Sequence, residues 1–221
     1  DRAVENGALH ANVLAGKRGL RAKDRPKKPD LPSPSKLAEI FAEMERIGGR
    51  GIEAADFCRG LAFTGCRQRE AAGLVWRDVD FVTGVLRVRG TKTEAGDREV
   101  PLIPAARELF EKIRRKREEQ AEVAVDGVPH VDPSSRVFRV REALKSLTRA
   151  CAAVGIPRLT HHDLRDFFAT QAIQAGVPVP TVADWLGHAD EGVTLLARYK
   201  GIATREHSVS QAAKGNFRGA S

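Results

Sequence analysis

The sequence predicts a mainly α-helical domain that carries one small three-stranded antiparallel β-sheet. Three observations lead there. Apolar residues recur at helical spacing through most of the chain from residue 35 onward. One stretch, 79–100, instead alternates with a period of two and is broken by turn residues. The chain has 221 residues, 42% hydrophobic and 30% charged, which is enough apolar material for one large domain and the balance of a globular chain.

Taken in order, residues 1–30 stand apart. Within 17–28, Lys17, Arg18, Arg21, Lys23, Arg25, Lys27 and Lys28 face a single acid, and Pro26, Pro29, Pro32 and Pro34 punctuate or follow the run. Such a segment repels itself and stays extended. It reads as a linker able to lie along phosphates, and its abrupt start reads as a cut from a longer protein. From Ser35, the residues Leu37, Ile40, Phe41, Met44 and Ile47 mark a helix behind Ser33 and Ser35 as N-caps, ended by Gly48 and Gly49. A second helix spans about 52–63 and stops at Gly65. A third, short one runs about 68–75.

Val79, Phe81, Val85, Leu86, Val88 and Val100 then make three strands, with turn signals at Thr83-Gly84 and Glu94-Ala95-Gly96-Asp97. No other part of the chain reads as β. Helices resume over about 104–120, and 121–136 reads as a loop containing Gly127, Pro129 and Pro133. Val140, Ala143, Leu144, Leu147, Ala150, Cys151 and Val154 pattern the next helix. Further helices are expected at about 162–175, 180–186 (Pro180 in the first turn, Gly187 at the end), 191–199 and 204–213.

Lys and Arg number 37 against 29 Asp and Glu, so the net charge is +8. That surplus points to a polyanion, most simply nucleic acid, although a basic balance also occurs without one. Cys58, Cys66 and Cys151 are odd in number and lack metal-ligand spacing, which argues against a disulfide framework and a zinc site. They read as buried, reduced thiols of a cytoplasmic protein. No apolar run is long enough to span a membrane, and the first ten residues hold no signal-peptide core.

Four segments hold polar groups placed oddly for solubility alone. Thr64-Gly65-Cys66-Arg67-Gln68-Arg69-Glu70 follows an apolar helix, so Arg67 sits at a helix junction where free N–H groups also suit an anion. By itself it fits a surface arginine after a C-cap as well. Lys92 lies in the polar hairpin tip TKTEAGDR, where it either reaches into a site as a proton donor or is simply solvated. His162 and Arg165 are three apart, so on a helix they share a face. The pair suits a phosphate clamp with a proton-transfer group, or a polar helix start. Leu186-Gly187-His188 is followed by Tyr199, the one tyrosine of the chain, flanked by Arg198 and Lys200. It reads as a packing residue or as a nucleophile whose phenolate nearby cations favour.

Together the ordered set Arg67, Lys92, His162-x-x-Arg165, His188 and Tyr199, with the surroundings TGCRQREAAGLVWRDVD, TKTEAGDREVPL, HHDLRDFFATQ and LGH, resembles the tyrosine recombinase (phage integrase) family over roughly 32–200. The resemblance implies that family's catalytic-domain fold and a DNA breaking-rejoining enzyme. By it, Arg67 and Arg165 bind the nonbridging phosphate oxygens, and Tyr199 is the nucleophile that forms a 3′-phosphotyrosine. His162 accepts the proton of Tyr199, Lys92 protonates the leaving 5′-hydroxyl, His188 bonds a phosphate oxygen and Glu70 helps to order the site. His161 lies one residue out of register and stays outside the site. Asp166 stands where histidine, arginine or threonine is common, and the interval from His188 to Tyr199 is longer than in many members.

The resemblance further implies double-stranded DNA as partner, neither cofactor nor metal, and no membrane. It implies a monomer when free, a tetramer on paired DNA sites, and accessory DNA-bending proteins, in a prokaryotic cytoplasm or nucleoid. Residues 1–31 would be the end of a core-binding domain with a basic linker, 32–200 the catalytic domain, and 201–221 a tail. The tail's sparse apolar set, Ile202, Val209, Ala212, Ala213 and Phe217, needs a surface to dock on, in cis or in trans. Three rival readings remain. A type IB topoisomerase shares the chemistry. A noncatalytic DNA-binding module would need the basic charge but no lone tyrosine. A metal phosphohydrolase would use His161, His162 and Asp163.

Overall fold

The computed structural model describes residues 31–90, 97–120 and 131–187, with the backbone of 124–125 and 128–129. The element order is α1 (Pro34–Arg46), α2 (Arg50–Thr64), α3 (Gln68–Gly73), a single 3₁₀ turn (Trp76–Asp78), β1 (Val79–Asp80), β2 (Val85–Val88), β3 (Arg98–Pro101), α4 (Pro104–Glu119), β4 (Ala124–Val125), β5 (Val128–Pro129), α5 (Leu144–Val154), α6 (His161–Gln174) and α7 (Val179–Leu186). Helices expected at 191–199 and 204–213 lie outside the described residues.

The first helix begins because Ser33 Oγ accepts the Lys36 N–H at 3.2 Å and Pro34 needs no donor partner in the first turn. Its apolar stripe, Leu37, Ile40, Phe41 and Met44, is buried against α2 and α5. Helix α2 is buried on nearly every side, through Ala54, Ala55, Phe57, Cys58, Leu61 and Ala62. It forms the centre of the molecule, with α6 alongside and α4 on another flank. Phe57 meets Phe138 edge-on at 5.4 Å between centroids. Each such fully buried side chain contributes about 1.5–3 kcal/mol.

The three-stranded sheet has the order β1-β2-β3, all antiparallel, with Leu86 between Val79 and Val100. Val79, Leu86, Val88 and Val100 face the core. Phe81 falls in the turn between β1 and β2 rather than in a strand. It is held there by the guanidiniums of Arg107 and Arg114, 5.7 and 5.8 Å from its ring centroid. Three other expectations are corrected. The third helix ends at Gly73 and gives way to the 3₁₀ turn, because Asp78 Oδ2 draws in the Val75 N–H at 3.2 Å. The stretch read wholly as loop contains a second sheet, β4 paired with β5. Val140 and Ala143 precede the helix they were expected to join, which starts at Leu144.

Helix α6 opens with a reciprocal cap: Asp163 Oδ2 accepts the Thr160 N–H at 2.7 Å, and Thr160 Oγ1 accepts the Asp163 N–H at 3.3 Å. Leu164 through Thr170 are then all buried. Helix α7 closes the structure against α6 and β3 and ends at Gly187 in the left-handed conformation. Cys58, Cys66 and Cys151 are free and buried, and burial pushes the Cys66 thiol up to about 11, where it is inert. Among the described residues no helix is long and apolar enough to cross a membrane.

Candidate active site

Two left-handed glycines shape the site. Gly65 (φ +65) stops α2, and a Cβ there would lie 2.5 Å from Phe168 Cδ1 and 2.7 Å from Leu186 Cδ2. Glycine therefore lets the end of α2 touch α6 and α7. Gly187 (φ +64) stops α7 in the same way.

The last carbonyls of a helix have no partner within it and carry the negative end of its dipole. In α7 three of them in succession are taken by three arginines from three different elements. Arg98 Nε of β3 donates to Trp185 O at 2.6 Å. Arg165 Nη2 of α6 donates to Leu186 O at 2.5 Å. Arg67 Nη2, at the start of α3, donates to Gly187 O at 3.1 Å. Arg165 also donates from Nη1 to Gly65 O at 2.7 Å, so its guanidinium bridges the ends of α2 and α7.

Glu70 anchors the other side. Its side chain is 2% exposed and takes the fork of Arg98 at 3.0 and 2.8 Å, the Arg67 N–H at 2.7 Å and Arg67 Nη1 at 2.9 Å. Burial opposes its charge, but the bonds from Arg98 and Arg67 prevail and hold it at about 2, as an anion. Arg165, only 3% exposed, is lowered to about 10 by burial and by repulsion from Arg67 and Arg98, and is charged at neutral pH. Two guanidiniums thus meet at one corner, Arg165 fixed in the wall and Arg67 half open, 47% exposed.

Of the residues singled out from sequence, Arg67, Glu70 and Arg165 come together here. His162 sits in the first turn of α6 with its side chain 59% exposed, its Nε2 3.8 Å from Oδ1 of the buried Asp166. His161 points the other way: its Nε2 accepts the Ala143 N–H at 3.3 Å and its ring meets Phe57 edge-on. With His161 packed and Asp163 capping the helix, the triplet His161-His162-Asp163 does not form a ligand set, and among the described residues no group of three His, Cys, Asp or Glu is placed to hold a metal ion. Lys92, His188, Tyr199 and the basic run of Lys17, Arg18, Arg21, Lys23, Arg25, Lys27 and Lys28 lie outside the described residues.

Arg98 was not singled out from the sequence, yet it is the most enclosed guanidinium of the corner after Arg165. A signal was available: the strand period places Arg98 on the same side as Val100, which is buried, so a cation there faces inward.

Residues 34–205 match the phage integrase family. A curated relative, a XerC-like tyrosine recombinase of Caldanaerobacter subterraneus subsp. tengcongensis, is 26% identical over 87% of this chain and 56% of its own length. The chain therefore spans little more than half of that relative. Among solved structures, the Tn1549 transposon integrase in complex with transposon right end DNA superposes with a TM-score of 0.59 at 19% identity, over 83% of this chain and 65% of the other. The catalytic domain of bacteriophage HP1 integrase gives 0.58 at 22% identity, over 84% and 94%. These structural likenesses concern the fold.

Proposed function

The chain belongs to the phage integrase family, and on that premise we propose that it is the catalytic part of a site-specific DNA recombinase acting through a covalent 3′-phosphotyrosine. The observation that carries the reading is the corner where Arg67 and Arg165 meet beside Gly187, the residue before His188. Two planar guanidiniums can bind two nonbridging oxygens with a fixed positive field, and that field matters most when charge builds up in the transition state. In this reaction the Tyr199 oxygen attacks the scissile phosphorus and its proton passes to His162. The bond from phosphorus to the 5′-oxygen breaks, that oxygen takes a proton from Lys92, and His188 bonds a phosphate oxygen. Rejoining is the reverse, with a 5′-hydroxyl as nucleophile. The phosphotyrosine conserves the energy of the phosphodiester, so neither ATP nor a metal ion takes part.

Residues 32–200 form the catalytic unit in this reading. The basic run up to residue 31 tracks phosphates, and residues 201–221 dock on an apolar surface. A cavity of about 520 Å³, lined by Phe41, Phe63, Phe168 and Trp185 among others, is of a size and character to receive Val209, Ala213 or Phe217 of that tail. Double-stranded DNA is the partner, with a monomer in solution and a tetramer on paired sites. The test is a suicide substrate that loses a short strand after cleavage. It should trap a protein–DNA adduct that forms equally with and without chelator. Cleavage without an adduct, abolished by chelator, would assign metal-dependent hydrolysis instead.

A further inference from the structure

We propose that Arg98 is a positioning residue for the phosphate clamp: it cancels the charge of Glu70 and seats the last turn of α7, so that Arg67 and Arg165 keep their charge for the phosphate. The inference rests on the recombinase reading above.

The burial of Arg98 is the first argument. Its side chain is 8% exposed, and an enclosed guanidinium persists only where its donors are met. Its fork meets both oxygens of Glu70, and its Nε meets Trp185 O. The charge count points the same way. Three guanidiniums (Arg67, Arg98, Arg165) against the single carboxylate of Glu70 leave a surplus of two positive charges, as many as the two clamp arginines bring. Without Arg98, Glu70 would keep Arg67 as its one ion-pair partner among these three, and would cancel half of the clamp's field at a buried site where water screens little.

Arg98 is also placed to support the turn after α7. A Cβ on Gly187 would lie 3.2 Å from both Cδ and Nη1 of Arg98, so the turn that leads to His188 rests directly on this side chain. Arg98 is also the first residue of β3, the strand entered from the connection that contains Lys92. One side chain therefore joins the exit of the Lys92 connection, the Glu70–Arg67 corner and the approach to His188. Arg98 faces Glu70 and a backbone carbonyl rather than open solvent, so it acts through its neighbours.

The experiment measures single-turnover cleavage of the suicide substrate, and DNA affinity, for the parent, Arg98→Met, Arg98→Lys, and Arg98→Met combined with Glu70→Gln. Arg98→Met should cleave roughly 10- to 100-fold more slowly with affinity changed by less than about threefold, the mark of an interaction felt in the transition state. Its rate should also rise at higher pH than the parent's, because a weaker field favours the Tyr199 phenolate less. The combined variant removes both charges, restores the surplus and should regain most of the rate and the parent's pH profile. Arg98→Lys keeps the charge and should lie between. If Arg98→Met does not fold, the combined and lysine variants carry the test alone. A combined variant no faster than Arg98→Met or below about one-tenth of the parent rate, or a lysine variant no faster than Arg98→Met or below about one-hundredth of the parent, would overturn the proposal. So would an Arg98→Met variant that cleaves at the parent rate. A parent that forms no adduct at all would overturn the recombinase reading and this proposal with it, which separates the two failures.

Discussion

Glu70 shows how one buried carboxylate ties two arginines into the fold. It lies between two arginines, and its charged form is favoured in the folded protein well below the ordinary glutamate value of 4.5, at about 2. The sign follows: a carboxylate depressed on folding stabilises fully above its unfolded value, and that contribution is lost as pH falls through the folded value. Its size is on the order of 3 kcal/mol. Chemical denaturation of the parent and Glu70→Gln should therefore differ most near neutrality and converge between about pH 4.5 and about pH 2. A difference constant over that window would contradict the assignment. At this scale the sequence was informative wherever the motif was local. Arg67 and Glu70, which pair in the structure, are three residues apart in sequence. Arg98 stayed hidden because its partners, Glu70 and Trp185, are 28 and 87 residues away.

The element that organises the site is the C-terminus of α7. Its free carbonyls draw in Arg98, Arg165 and Arg67, so one short helix sets where the three guanidiniums sit. Its approach to α2 depends on Gly65. Gly65→Ala would force a Cβ against Phe168 and Leu186 and strain a left-handed residue. The overpacking costs about 1–3 kcal/mol and the backbone about 1–2 kcal/mol. Urea unfolding should show a loss of roughly 2–5 kcal/mol, and cleavage by the folded fraction should also fall, since Gly65 O seats Arg165. A variant as stable as the parent would show that the contact is not tight. Helix starts with caps and stops with glycine were legible in the sequence: α1 behind Ser33, α2 before Gly65, α7 before Gly187. The β4–β5 hairpin was not, because two-residue strands are too short to display a period.

At the scale of the whole molecule, the fold class was readable because the one-sided helices α1, α4 and α5 and one alternating patch have different periods. What the period could not give was which helices meet. The packing of α2 beside α6, which brings the ends of α2, α6 and α7 to one corner, comes from the burial of both helices. The apolar cavity beside Phe63 and Trp185 is likewise a product of assembly, built from α1, α2, the start of α4, α6 and α7. If the tail docks in such a cavity of a neighbouring protomer, truncation after Gly201 should spare DNA binding by the monomer and prevent assembly on two sites. Sedimentation of the truncated protein with paired-site DNA reads this directly, and a normal tetrameric complex would contradict it.

The central claim is that Tyr199 becomes covalently joined to DNA at a phosphate held by Arg67 and Arg165. Mass mapping of the adduct trapped on a suicide substrate tests it most directly, with Tyr199→Phe as comparison. The account predicts a nucleotide attached to the peptide that contains Tyr199, and a Tyr199→Phe protein that binds the same DNA with near-parent affinity and forms no adduct. An adduct of undiminished yield in that variant, or one mapped to another residue, would contradict it.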